Sequence, residues 1–136
     1  MADDLFIGRW EMDPAANEYE FGAPPVKGLY IIEPQGAGYL VTMQWTSVDG
    51  KEHEMAYEGI ADGEWYPVPA TPGLTMSMSR DGARTLISEA KSGDVSVAYG
   101  RRELDEVGDT MTIYQSGTSP DGKAYTNKSI YTRLNE

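Results

Sequence analysis

Phe6-Ile7-Gly8-Arg9-Trp10, close to the N-terminus, is the stretch around which the fold is organised. It places a large aromatic residue two positions after a glycine, inside the first extended segment, residues 5–12. Side chains alternate between the two faces of a strand, so the even-numbered residues of this segment share one face. Glycine within a strand often marks a tight bend. We therefore expect the first strand to bend at Gly8 and to direct Trp10 into the core.

Short alternating segments, separated by Asp-Gly and Gly-rich turns, follow almost to the end of the chain. In the clearest of them, residues 39–46, Tyr39, Val41, Met43 and Trp45 alternate with the other four residues. The Asp-Gly pairs predict hairpin turns, because both residues tolerate the positive φ of tight hairpins. The predicted strands cover residues 5–12, 29–33, 39–46, 52–59, 65–69, 74–80, 85–91, 95–104, 110–116 and 125–134.

Strands at a spacing of roughly 8–12 residues are typical of all-β sandwiches and barrels. Consecutive hairpins favour an up-and-down meander, and closing it into a barrel removes exposed edges. The sequence therefore predicts one all-β domain over residues 1–136, a single antiparallel up-and-down β-barrel of about 8–10 strands with little helix. A β-sandwich is the alternative, disfavoured because the chain offers no long crossover connection. Residues 13–27 form the longest irregular connection, and Pro14 after Asp13 predicts a single helical turn within it.

The composition disfavours several classes of function. The formal net charge of −11 argues against nucleic acid and anionic membrane surfaces as partners. The chain has no cysteine, which excludes disulfides, thiol nucleophiles and cysteine-ligated zinc. No apolar run approaches the length of a membrane span. The acidic N-terminus lacks the pattern of a secretory signal, so we expect a cytoplasmic protein, with a mature secreted or periplasmic form as the alternative.

Gly8-x-Trp10 near the start and Arg133 near the end, within Ile130-Tyr131-Thr132-Arg133-Leu134, together resemble the pattern of the calycins. This group comprises the lipocalins, the fatty-acid-binding proteins and related bacterial lipocalin-like domains. The resemblance implies a lipocalin-like barrel in which the tryptophan of the first strand packs across the closed end. It also implies that an arginine of the last strand stacks on the indole, a favourable cation–π contact. Trp10 and Arg133 are therefore expected to close the barrel.

The chain departs from the better-known calycin branches in three respects. A helix-turn-helix lid, as in fatty-acid-binding proteins, needs roughly fifteen residues or more after the first strand, and residues 13–27 hold too many prolines and glycines to form one. We expect no long helix of the kind that follows the last lipocalin strand. The Arg-x-Tyr arrangement that often holds a carboxylate on the last strand is reversed here, as Tyr131-x-Arg133, so that role is not transferred. The short bacterial lipocalin-like domains resemble the chain most.

Met and aromatic residues on the more apolar strand faces are the candidate lining of an internal cavity. Seven methionines suit irregular apolar ligands, and a barrel of eight to ten strands is often too wide for its own side chains to fill. The candidate ligand-binding residues are Met43, Trp45, His53, Met55, Tyr57, Met76, Met78, Tyr99 and Tyr131. Glu89, Arg101 and Tyr125 are further polar groups that would orient a ligand. For any single residue, ordinary core packing is the more common role.

The sequence favours a binding protein that carries or sequesters a small hydrophobic molecule, as a monomer or homodimer, without cofactor or metal. The alternative is a cofactor-free isomerase, cyclase or hydratase that uses the barrel as a reaction chamber. Its candidate acid–base groups are His53, Tyr57, Tyr99 and Tyr125. His53 is the one histidine, and a lone histidine is more often structural. Haem ligation by His53, implied by one calycin branch, is a weaker third possibility.

Overall fold

The structure is a computed structural model and describes residues 5–68 and 71–134. Within them the chain forms ten strands and one 3₁₀ turn, which follows Asp13 as predicted. In chain order the elements are β1 (Gly8–Met12), the 3₁₀ turn (Pro14–Ala16), β2 (Lys27–Gln35), β3 (Gly38–Thr46), β4 (Glu52–Gly59), β5 (Trp65–Pro67), β6 (Leu74–Arg80), β7 (Thr85–Ser92), β8 (Val95–Leu104), β9 (Thr110–Thr118) and β10 (Ala124–Arg133). The predicted all-β fold is confirmed.

All ten strands belong to one antiparallel sheet in the order β4-β3-β2-β1-β10-β9-β8-β7-β6-β5. The first and last strands pair, with Trp10 opposite Arg133, so the meander curls back on itself. The predicted up-and-down topology is confirmed. One expectation is corrected: β4 and β5 are the two edges of the sheet and do not pair with each other, so the barrel stays open along that seam.

Most strand boundaries differ by a few residues from the sequence prediction, and the end of the predicted strand 65–69 lies outside the described residues. The differences at β1 and β2 have local causes. β1 begins at Gly8, whose φ of +148° is open to glycine but strained for other residues. β2 is longer than predicted and continues through Pro34, which lies near the hairpin end of the ladder. Proline is tolerated there because few ladder hydrogen bonds remain to be made.

The buried core occupies one end of the barrel. Phe6, Trp10, Val41, Leu86 and Met111 are all fully buried in it. Along β3 the burial declines from this end towards Thr46, where side chains are half-buried or exposed. Side chains of one end therefore fill the barrel, whereas the other end retains free space.

A β-bulge in β8 reverses the predicted faces of that strand. Ala90 and Ser92 lie on one face of β7, but their partners on β8 are Ala98 and Val95, which are three positions apart. The extra residue shifts the alternation by one, so every side chain that follows changes face. Counting by twos from Val95 puts Tyr99 inside, and that prediction is wrong.

The register beyond the bulge places Arg102 and Leu104 inside, opposite Ile113 and Met111 of β9. Tyr99 and Arg101 point outwards instead, where Arg101 forms an ion pair with Glu103 at 2.7 Å. Glu89, opposite Tyr99, shares this outer face. The inward orientation expected for Tyr99, Glu89 and Arg101 is therefore wrong, because all three point outwards.

Candidate functional site

Arg133 and Trp10 pack together at the filled end of the barrel. The guanidinium carbon of Arg133 lies 4.2 Å from the centre of the Trp10 ring. Its nitrogens donate to the backbone carbonyls of Gly108 (2.9 Å), Ile7 (2.9 Å) and Leu5. Trp10 Nε1 donates to the Phe6 carbonyl at 3.2 Å. The contact implied by the calycin resemblance is present, and it ties the first strand to the last strand and to the turn after β8.

Arg102 lies deep inside the barrel and is only 4% exposed. Its Nη1 donates to Ser88 Oγ at 3.2 Å, and its Nη2 donates to the hydroxyls of Tyr30, at 3.1 Å, and of Tyr57. Its Nε is buried without a hydrogen-bond partner among the described residues. These four residues, Arg102 with Tyr30, Tyr57 and Ser88, are called the arginine cluster below.

The arginine cluster carries a positive charge that its own members do not neutralise. A guanidinium stays protonated in proteins. The three hydroxyls accept hydrogen bonds from Arg102 but supply no negative charge to balance it. Burial raises the pKa of the Tyr57 hydroxyl and outweighs the opposing effect of Arg102, so this phenol stays neutral at ordinary pH. Within the described part of the chain, Arg102 forms no ion pair with a carboxylate. Such an arrangement is costly, since buried charges are normally paired.

A cavity of about 360 Å³ opens at the less filled end of the barrel and is called the mouth cavity. Its walls include Tyr30, Met43, Trp45, Met55, Ile113 and Tyr131. Tyr131 packs edge-on against Tyr30, with ring centres 5.3 Å apart. Since Tyr30 binds Arg102, and Ile113 is the cross-strand partner of Arg102, this cavity reaches the arginine cluster.

A second cavity of about 640 Å³, called the lateral cavity, lies along the seam between the two edge strands. It is lined by Tyr57 and Gly59 from β4, by Tyr66 from β5, and by Met76 and Met78 from β6. Because Tyr57 also binds Arg102, the lateral cavity reaches the arginine cluster from the opposite side. The cluster therefore stands between two apolar cavities.

The irregular connection between β1 and β2 forms part of the mouth. Tyr19, Ala23 and Pro25 line the mouth cavity. The connection is held on β10 by the Asn127 side chain, whose Oδ1 accepts from the backbone of Glu20 at 2.9 Å and of Phe21 at 3.2 Å. The sequence predicted that this connection forms no helical lid. Backbone held on β10 by these hydrogen bonds lies at the mouth instead.

His53 lies at the rim of the mouth and is exposed. Its ring stacks on Trp45 with centres 5.2 Å apart, and its Nε2 is 3.1 Å from Ser47 Oγ. Ser47 Oγ also donates to Asp49. The contacts of His53 are therefore with residues of its own β3–β4 hairpin.

The structure divides the predicted ligand-binding residues among four places. Met43, Trp45, Met55 and Tyr131 line the mouth cavity, although Met55 is half exposed. Tyr57, Met76 and Met78 line the lateral cavity. His53 lies on the rim, and Tyr99 lies on the outer face.

The four candidate acid–base residues are not gathered into one site. Tyr57 binds Arg102, His53 contacts Ser47, and Tyr125 packs on Phe21 with ring centres 5.0 Å apart. Tyr99 is separated from them by the barrel wall. The described residues therefore show no shared reaction centre built from these groups.

Sequence reasoning missed the arginine cluster except for Tyr57. Arg101-Arg102 was recognisable as a basic pair suited to an anion, but the bulge gave the inward position to Arg102 rather than to Arg101. The sequence did contain a signal for the inward position of Arg102. Counting by twos back from the apolar residue Leu104, at the end of β8, puts Arg102 and Gly100 on the same face, and this count does not cross the bulge. Ser88 and Tyr30 gave no signal by themselves.

Within residues 5–68 and 71–134, no three histidine, aspartate or glutamate side chains are grouped so as to hold a metal ion. The same residues contain no helix that is long and apolar enough to cross a membrane.

Solved structures show a similar fold over nearly the whole chain. A point mutant of the fluorescent protein UnaG aligns with a TM-score of 0.62 at 16% identity, over 98% of this chain and 99% of that one. Wild-type UnaG aligns with a TM-score of 0.55 at 15% identity, over 95% and 97%. Zebrafish ileal bile acid-binding protein, complexed with cholic acid, aligns with a TM-score of 0.56 at 12% identity, over 96% and 99%.

At these identities the likeness shows the fold alone, and that fold agrees with the up-and-down lipocalin-like barrel predicted from the sequence. No protein-family model and no curated protein sequence matches the chain.

Proposed function

We propose that the protein binds a small hydrophobic molecule that carries an anionic group, most favourably a carboxylate, and that Arg102 holds this group. The observation that carries the proposal is the buried guanidinium of Arg102, which has no carboxylate partner and an unbonded Nε among residues 5–68 and 71–134. Arginine presents planar N–H groups that match a carboxylate, and the bond is strongest where water is excluded. A bound anion would compensate the charge that the fold leaves unpaired.

The cavities beside Arg102 suit an apolar body. Lining by Met43, Trp45 and Met55 at the mouth, and by Met76 and Met78 at the seam, gives adaptable and polarizable contacts. Volumes of about 360 and 640 Å³ fall in the range of small-molecule sites. The zebrafish neighbour, whose structure holds cholic acid, supports an amphipathic carboxylic acid as the ligand class.

The acidity of the protein does not oppose this ligand at short range. The net charge of −11 repels anions at a distance, but salt screens such repulsion over about 8 Å at physiological ionic strength. Inside the barrel, the nearby guanidinium outweighs screened carboxylates on the outer surface. A carrier or sequestering role follows, since the candidate acid–base residues are not assembled into one site.

Displacement of the uncharged dye Nile red by dodecanoate and by 1-dodecanol tests the proposal. The two competitors share a chain and differ in charge. We expect dodecanoate to compete at about tenfold lower concentration, equivalent to about 1.4 kcal/mol. Equal competition would show that no cation holds the headgroup. No dye binding and no competition would show that the cavities do not take apolar molecules.

A further inference from the structure

The seam between β4 and β5 connects the inside of the barrel with its outer surface. Inward and outward residues of β4 alternate along the lateral cavity, with Tyr57 and Gly59 inside and Ala56 and Glu58 outside. On β6, Ser77 points outwards and Met76 inwards, and both line the same cavity. A cavity lined by both faces of a wall passes through that wall.

The seam is closed at one end. Gly63 N, just after β4, donates to the Met78 carbonyl at 2.9 Å. A Cβ on Gly59 would lie only 2.7 Å from Met78 Cε, so the Met78 side chain packs directly on the β4 backbone at this glycine. The opening is therefore confined to the part of the seam beyond Met78, beside Tyr66 and Met76.

Apolar side chains remain exposed around this opening. Ile60 is 37% and Tyr66 is 39% exposed, and both line the lateral cavity. Met76 is half-buried at the same place. Apolar surface grouped around an opening favours an apolar ligand, because burying apolar surface lowers the free energy by about 25 cal/mol per Å².

We infer that the lateral cavity is a second binding compartment, which takes the hydrocarbon chain of the ligand while Arg102 holds its anionic end. This inference rests on the proposed function and adds the path of the chain: past Tyr57, between β4 and β6, towards the open seam. Tyr57 is the positioning residue, because it both binds Arg102 and lines the compartment. A ligand lying this way fills the larger of the two described cavities.

Methionine methyl groups provide built-in reporters of the two compartments. Met76 and Met78 line the lateral cavity, whereas Met43 and Met55 line the mouth cavity. The experiment uses full-length protein with ¹³C-labelled methionine methyls and unlabelled dodecanoate, with signals assigned by single Met→Leu substitutions. We expect isotope-filtered NOEs from the terminal methyl of dodecanoate to Met76 and Met78. NOEs to Met43 or Met55 alone would overturn the inference and leave the proposed function intact.

A matched pair of variants gives an independent reading. Ala56→Trp obstructs the seam, because Ala56 lines the lateral cavity. Thr42→Trp is the control: Thr42 is the cross-strand partner of Ala56 and shares its outer face, but it lies away from the seam. We expect Ala56→Trp to weaken dodecanoate binding about tenfold, the equivalent of about two buried methylenes, and Thr42→Trp to leave it unchanged. Equal affinity in both variants would overturn the inference. Failure of the unmodified protein to bind dodecanoate would instead overturn the proposed function.

Discussion

The guanidinium of Arg133 lies 4.2 Å from the centre of the Trp10 ring and donates to backbone carbonyls of Ile7 and Gly108. One side chain thus joins the two ends of the meander, where β1 and β10 pair. The contact combines a cation–π interaction with charge-assisted hydrogen bonds. It stabilises the filled end of the barrel, where Trp10 is also the cross-strand partner of Tyr30.

Trp10→Ala should lower the free energy of unfolding by about 3–5 kcal/mol, because it removes a fully buried aromatic side chain and leaves a cavity. Trp65→Ala is the control, since Trp65 is 38% exposed on the outer face. Urea unfolding followed by circular dichroism measures both. A loss from Trp10→Ala no larger than that from Trp65→Ala would show that the indole does not seal the core.

Gly8→Ala should destabilise the protein by about 1–3 kcal/mol, the usual cost of a strained backbone residue. Gly8 has a φ of +148°, and an added Cβ would lie 2.5 Å from Arg133 Nη1. Gly36→Ala is matched to it: φ is also positive there, at +56°, but no atom lies within 4 Å. Thermal unfolding should show the larger loss for Gly8→Ala, and the reverse order would contradict the close approach of Arg133.

Stability should fall as the pH rises above about 10, where phenols of an unfolded chain ionise. Burial raises the pKa of the hydroxyls of Tyr57 and Tyr131 in the folded protein. The folded state then keeps protons that the unfolded state has released, so the free energy of unfolding decreases with pH. Below that range both states carry these protons, and the contribution is constant.

Tyr57→Phe should reduce this alkaline slope by up to about 1.4 kcal/mol per pH unit, since one titrating group is removed. Urea unfolding at a series of pH values from neutral to alkaline provides the measurement. An unchanged slope in Tyr57→Phe would show that this hydroxyl ionises as freely in the folded protein as in the unfolded chain.

Arg102→Met should leave the melting temperature equal or higher, although it removes three hydrogen bonds. Replacing a buried charge by an apolar side chain of similar size is often neutral or stabilising. Scanning calorimetry of the unliganded protein measures the change. A marked drop in melting temperature would mean that Arg102 serves the fold rather than a ligand.

The sequence predicted the fold well because its determinants are local. Asp-Gly turns and alternating side chains define consecutive hairpins, and consecutive hairpins leave few topologies for an antiparallel meander. The pairing of Trp10 with Arg133 followed from the resemblance to a known barrel class. The open seam was not predicted, because the absence of pairing between β4 and β5 depends on how the whole sheet curls.

The interior was harder to predict than the fold. One bulged residue in β8 moved Tyr99 and Arg101 outside and Arg102 inside, and no turn residue marks the bulge. The hydroxyls that bind Arg102 come from β2, β4 and β7, so their meeting depends on the register of the entire barrel. Period-two counting fails wherever one extra residue is accommodated within a strand.

Calorimetric titration of dodecanoate into the unmodified protein, Arg102→Met and Arg101→Met tests the central claim most directly. The two arginines are neighbours on β8, but Arg101 lies outside and Arg102 inside. We expect Arg102→Met to weaken binding by about 10- to 100-fold, equivalent to about 1.4–2.8 kcal/mol, and Arg101→Met to bind as the unmodified protein does. Equal affinity for dodecanoate in all three proteins would contradict the assignment of Arg102 as the group that holds the anion.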